Sequence, residues 1–186
     1  MRLLFRTSLL ATAASGLALL SACGGGDSLE KVDAEDWVAD VCDRALDFDD
    51  DIADAGSELD VLEDGDPDEI KDAIDQFVKE ATKIIDEFVK DIEKIGQPDI
   101  DGGDKVVKAI REHAKQEKKV FTDFKKDVND LDDKDDDDFR DDVFDLLDDV
   151  EDPDLRDRFE DINERDVDDL IDMIDDEPGC SDILFN

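Results

Sequence analysis

The sequence predicts an all-α fold: an antiparallel four-helix bundle with a broken fourth helix, closed by one disulfide. Three observations carry this. Apolar residues recur every three or four positions through long segments, and strand-type alternation persists nowhere. The segments are joined by short stretches punctuated with glycine and proline, as between antiparallel neighbours. Cys42 lies in the first segment and Cys180 just past the last, and an up-down-up-down path sets those elements side by side.

In the first helix Ala34, Val38, Val41, Ala45, Phe48 and Ile52 step by four and three, with Trp37 and Cys42 flanking the stripe. Residues 56–66 read as a loop. Asp66-Pro67-Asp68-Glu69 then starts the second helix: Asp66 caps it, Pro67 suits the first helical position and Glu69 completes a capping box. Its stripe is Ile70, Ile74, Phe77, Ala81, Ile84 and Phe88, widened by Val78, Ile85, Val89 and Ile92. Ile95-Gly96 with Pro98 beyond is C-terminal punctuation. At ~1.5 Å per residue this helix is about 40 Å long.

After the turn "GQPDIDGGD", the third helix shows Val107, Ile110, Ala114, Phe121, Phe124, Val128 and Leu131. Glu117 fills the one polar position in that stripe. The run 132–138, broken only by Lys134, is a charged linker or cap. The last quarter is less regular: Phe139, Val143, Leu146, Leu147 and Val150 form one stretch, and Asp152-Pro153 restarts a helix with Leu155, Phe159 and Ile162. Val167, Leu170, Ile171 and Ile174 continue it before Pro178-Gly179-Cys180, so the break is expected near Pro153.

The N-terminus carries an address. Arg2 and Arg6 precede an apolar run over 9–20, a basic region followed by a core of signal-peptide length, short of the ~20 residues a membrane span needs. Leu20-Ser21-Ala22-Cys23 resembles the bacterial lipobox, in which the cysteine thiol takes a thioether lipid and becomes the first mature residue. The chain therefore divides into a lipoprotein signal peptide (1–22), a lipidated cysteine and flexible tether (23–32) that includes three glycines, and an acidic helical domain (33–186). Acyl chains contribute about 0.8 kcal/mol per buried methylene, and a doubly or triply acylated Cys23 would anchor stably, for example through palmitate. The alternative is an ordinary secretory signal with a chance cysteine.

With Cys23 assigned, Cys42 and Cys180 remain, and an oxidising exterior favours their pairing over two free thiols. That bridge would close a loop of 138 residues, for which chain entropy estimates somewhat under ~5 kcal/mol.

Residues 23–186 hold 20 basic against 60 acidic residues, a net charge of −40, and 46 of the acids are aspartate. Glutamate is the better helix former, so the aspartate excess reads as adaptation to a saline exterior. Self-repulsion opposes a compact state in dilute buffer, whereas molar salt shortens the screening length to ~3 Å. Weak calcium or other cation association is the alternative, and disorder a third, opposed by the apolar stripes. Nucleic acid is excluded as a main partner, because −40 repels a polyanion.

The mature part resembles a family of small exported proteins and lipoproteins common in actinobacteria. The matching stretches are "WVADVCD" (37–43), "IGQPDIDGGDKVVKAI" (95–110) and "EPGCSDIL" (177–184). The resemblance implies a helical fold and a disulfide and supplies no catalytic residues. This chain departs from the pattern in its extreme aspartate content.

Catalytic signatures are missing from the sequence. His113, the single histidine, sits at the edge of the third stripe and reads as a partly buried structural imidazole. There is no Gly-x-Ser-x-Gly elbow, phosphate loop or Cys-x-x-Cys, and EF-hand frames starting at Asp64 or Asp99 fail at the glycine or glutamate positions. No cofactor or metal site is expected. Lys108, Arg111, Lys115, Lys118 and Lys125 form the only basic stripe. They would face anionic lipid or a partner, or else pair with acids on neighbouring helices and orient the bundle. The expected function is a non-enzymatic, membrane-anchored extracytoplasmic binding module. Its alternatives are a cation-buffering surface protein and an accessory subunit of an envelope complex.

Overall fold

The computed structural model describes residues 29–150, 154–162, 164–177 and 179–185. The expected signal peptide, Cys23 and the glycines of the tether lie outside the described residues, as do Pro153 and Pro178. The elements run β1 (Lys31–Val32), α1 (Ala34–Gly56), a 3₁₀ turn (Ser57–Leu62), α2 (Pro67–Ile95), β2 (Gln97–Pro98), α3 (Gly103–Asp130), α4 (Asp136–Asp148), α5 (Leu155–Glu160), α6 (Arg165–Asp176) and α7 (Cys180–Leu184). The protein is mostly helical, and Cys42 and Cys180 are bonded with their Cα atoms 5.2 Å apart.

Aspartate starts four of these helices. Asp33, Asp66, Asp135 and Asp154 accept backbone N–H groups at the first turns of α1, α2, α4 and α5. A short carboxylate reaches those amides, and its charge suits the positive end of the helix dipole. The capping box of α2 is complete: Asp66 accepts from the Glu69 amide at 3.0 Å, and Glu69 accepts from the Asp66 amide at 3.3 Å.

Side chains meet in opposite order along α2 and α3. Arg111 reaches Glu93, Lys118 reaches Asp86 and Lys125 reaches Asp75. Between α1 and α2, the Trp37 indole N–H donates to the Gly96 carbonyl at 3.1 Å, Arg44 pairs with Asp91, and the Phe48 and Phe88 rings lie 5.0 Å apart.

Three expectations change. The end of the expected tether is part of the body: β1 pairs in parallel with β2, and Leu29 and Val32 pack against the core. The Gln97 amide donates to the Glu30 carbonyl at 2.8 Å and the Asp99 amide to the Val32 carbonyl at 2.7 Å. The loop after α1 holds a 3₁₀ turn. In place of one broken fourth helix there are α4, α5, α6 and α7, because separate caps interrupt the chain: Asp135 before α4, Asp154 before α5 and Gly179, at φ +82°, before α7.

The buried apolar residues form two clusters. The larger holds Trp37, Val41, Ile92, Val106, Phe159, Leu170 and the disulfide; the smaller holds Ile70, Ile74, Val78, Val128, Phe139 and Val143. Ala81, Ile85 and Ala114 are buried yet belong to neither. The core thins beside Ile85 and Ala114.

Candidate functional site: an apolar cavity with one polar wall

A cavity of about 230 Å³ lies at that thinning. It is partly open to solvent rather than sealed in the interior. Phe48 of α1 and Ile85 and Phe88 of α2 line one side. Ile110, Ala114 and Phe121 of α3 form the floor, at the i, i+4, i+11 spacing that puts them on one face. Leu155 of α5 and residues 183–185 at the end of α7 close the remainder.

Among the described wall residues, only His113 and Glu117 are polar. They stand one turn apart on α3, with His113 Nε2 3.7 Å from Glu117 Oε1, and each side chain is 21% exposed. An apolar chamber carrying one small polar patch is the usual composition of a small-molecule seat.

The α7 wall is held from behind. Cys180 ties it to Cys42 in α1. The Ser181 hydroxyl donates to Asp175 at 2.7 Å, Arg156 pairs with the same carboxylate, and the Arg156 guanidinium lies 4.5 Å from the centre of the Phe185 ring. The Arg156 hydrogen bond, with that of Ser181, holds the Asp175 carboxyl below its ordinary range.

The basic stripe divides. Arg111, Lys118 and Lys125 pair with acids of α2; Lys108 pairs within α3 to Glu112 at 3.7 Å; Lys115 is exposed on the outer surface. Among the described residues, no three His, Cys, Asp or Glu side chains converge to hold a metal ion. Likewise no described helix is long and apolar enough to cross a membrane.

The cavity went unread in the sequence, although one signal pointed to it. Glu117 interrupts the α3 stripe at a position that otherwise faces the core. His113 precedes it by one turn on the same side. Comparison with family models, curated proteins and solved structures finds no match for this chain.

Proposed function

We propose that this chain is a lipid-anchored, extracytoplasmic, non-enzymatic binding module whose ligand sits in the cavity between α1, α2, α3, α5 and α7. The observation that carries it is the apolar chamber itself. A partly open, mostly apolar space of about 230 Å³ lets a ligand bury its own apolar surface there. The lipobox-like Leu20-Ser21-Ala22-Cys23 supports attachment at the outer face of the cell membrane, and the resemblance to exported actinobacterial lipoproteins agrees with it.

The body in this reading is an antiparallel four-helix bundle, with α1, α2 and α3 as three members and the shorter C-terminal helices in the fourth place. The opposed order of the α2–α3 ion pairs supports that arrangement.

A neutral aromatic probe tests the seat. With the full chain in phospholipid nanodiscs, 2-phenylethanol should raise the midpoint of thermal unfolding, and Ala114→Leu should abolish that rise by filling the chamber. An unchanged midpoint in the unsubstituted chain removes the seat. Attachment is tested separately: fatty-acid label should enter the full chain and not Cys23→Ala, and equal labelling removes the anchor.

An accessory subunit of an envelope complex is a second reading, favoured by Phe144 and Leu147, which are exposed together on α4. Cross-linking on intact cells through a probe at Phe144 should then capture one envelope protein, and no cross-linked product would remove this reading.

A further inference from the structure

The chamber has a neighbour in line with it. A second space of about 190 Å³ lies further along α2 and α3, lined among the described residues by apolar side chains alone. The order of the walls sets the direction. On α3 the first chamber takes Ile110 and Ala114, and the second takes Val120 and Phe124. On α2 the order is reversed, with Phe88 and Ile85 in the first and Phe77 and Ile74 in the second. From α1 into the 3₁₀ turn the walls run Phe48 and Ile52, then Leu59 and Leu62. The two spaces therefore lie end to end, and Phe121 is the one described residue that lines both. Its ring meets Phe77 edge to face, with centroids 5.5 Å apart, and is partly exposed rather than locked in the core.

Length and volume give the shape of an occupant. Ile110 and Phe124 are 14 residues apart on one helix. At ~1.5 Å per residue that is about 21 Å. An apolar cavity of about 150 Å³ takes benzene, and in that proportion the chambers take about nine and about eight non-hydrogen atoms. So few atoms over that length describe something long and thin. A lipid acyl chain has this form, since one chain reaches across half of a bilayer core about 30 Å thick.

We propose that the two chambers are one seat for a single unbranched hydrocarbon chain, the acyl or alkyl part of a lipid, which runs along α3 past Phe121. This rests on the first chamber being a ligand seat. The Phe121 ring turns aside by a change of rotamer, and the bound chain replaces its contact with Phe77. Both chambers are partly open, so the polar end of the ligand stays in water. Selection is by length, because a chain that stops in the first chamber leaves the apolar walls of the second uncovered.

The full chain in phospholipid nanodiscs is titrated with 1-hexanol, 1-octanol, 1-decanol and 1-dodecanol. Each is referred to its free aqueous concentration measured with empty nanodiscs. The Ala114 methyl resonance reports on the first chamber and those of Ile74 on the second.

Affinity should rise about fourfold for each added methylene through the whole series, the usual gain from burying one. 1-Dodecanol should shift both reporters with one dissociation constant. Leu62→Trp, which narrows the second chamber alone, should weaken 1-dodecanol to the affinity of 1-octanol and leave 1-octanol binding at Ala114 in place. An affinity that stops rising at 1-octanol, the length that fills the first chamber, overturns the joined seat and leaves the first chamber standing. So does 1-dodecanol binding that Leu62→Trp does not change. Failure of every alcohol to move Ala114 overturns the seat itself, and this inference with it.

Discussion

At residue scale, one position shows how little slack the turn around β2 has. Gly96 has φ +110°, and a Cβ there would lie 2.4 Å from the Glu30 carbonyl oxygen. Gly96→Ala is expected to cost about 2–3 kcal/mol from the positive φ and the clash together, read as a lower melting midpoint; an unchanged midpoint contradicts the β1–β2 contact. Asp175 gives a pH test. Its folded pKa is lowered from an ordinary 3.8 by Arg156 and then Ser181, so its contribution is present above that value and is lost as pH falls through the folded pKa. Asp175→Asn should therefore lower the midpoint at pH 7, by an amount that shrinks as pH falls below 3.8. A difference that stays constant as pH falls would show that the carboxylate charge is not what matters. Neither Gly96 nor Asp175 could be ranked from sequence, because Gly96 acts against the distant Glu30 and Asp175 against Arg156 on another helix. Glu117 could be noticed, since a charge in a core stripe needs a reason.

At the scale of elements, α1, α2 and α3 were legible because each keeps an apolar period over six turns or more, and α2 also announces its start with a capping box. The exact centre of each stripe was less so: Val106 and Ala109 are buried on α3, and on α2 the flanking Val78, Ile85 and Ile92 lie deeper than Phe77 and Ile84. Two-residue strands carry no period, so the pairing of Lys31–Val32 with Gln97–Pro98 left no pattern to find. The C-terminal helices were blurred for a related reason: α5 and α7 span six and five residues, too short for periodicity to separate them from their neighbours. A five-residue helix does not stand alone in water, so α7 depends on the disulfide and the Asp175 network. Reducing Cys42–Cys180 is expected to remove somewhat under ~5 kcal/mol and to weaken 2-phenylethanol binding by loosening the cavity wall. Undiminished binding by a fully reduced chain would separate α7 from the site.

For the whole molecule, the question is how a chain of this charge stays folded. Surface ion pairs supply little, each ~0–1 kcal/mol, although the Arg111–Glu93, Lys118–Asp86 and Lys125–Asp75 series fixes register between α2 and α3. Cohesion comes from the two apolar clusters, joined through a core that thins at the cavity. Circular dichroism should accordingly show helicity rising with sodium chloride toward molar concentration, and full helicity in dilute buffer would contradict the saline reading. The gap between the clusters was invisible in the sequence because it is a property of how stripes meet, not of any one stripe. That gap is also where the account stands or falls. Intermolecular nuclear Overhauser effects from 2-phenylethanol bound to the full chain are the most direct measurement: cross-peaks to the Ala114 methyl and to Ile85 and Ile110 are predicted. Cross-peaks confined to the exposed Phe144 and Leu147, or none at all, would contradict it.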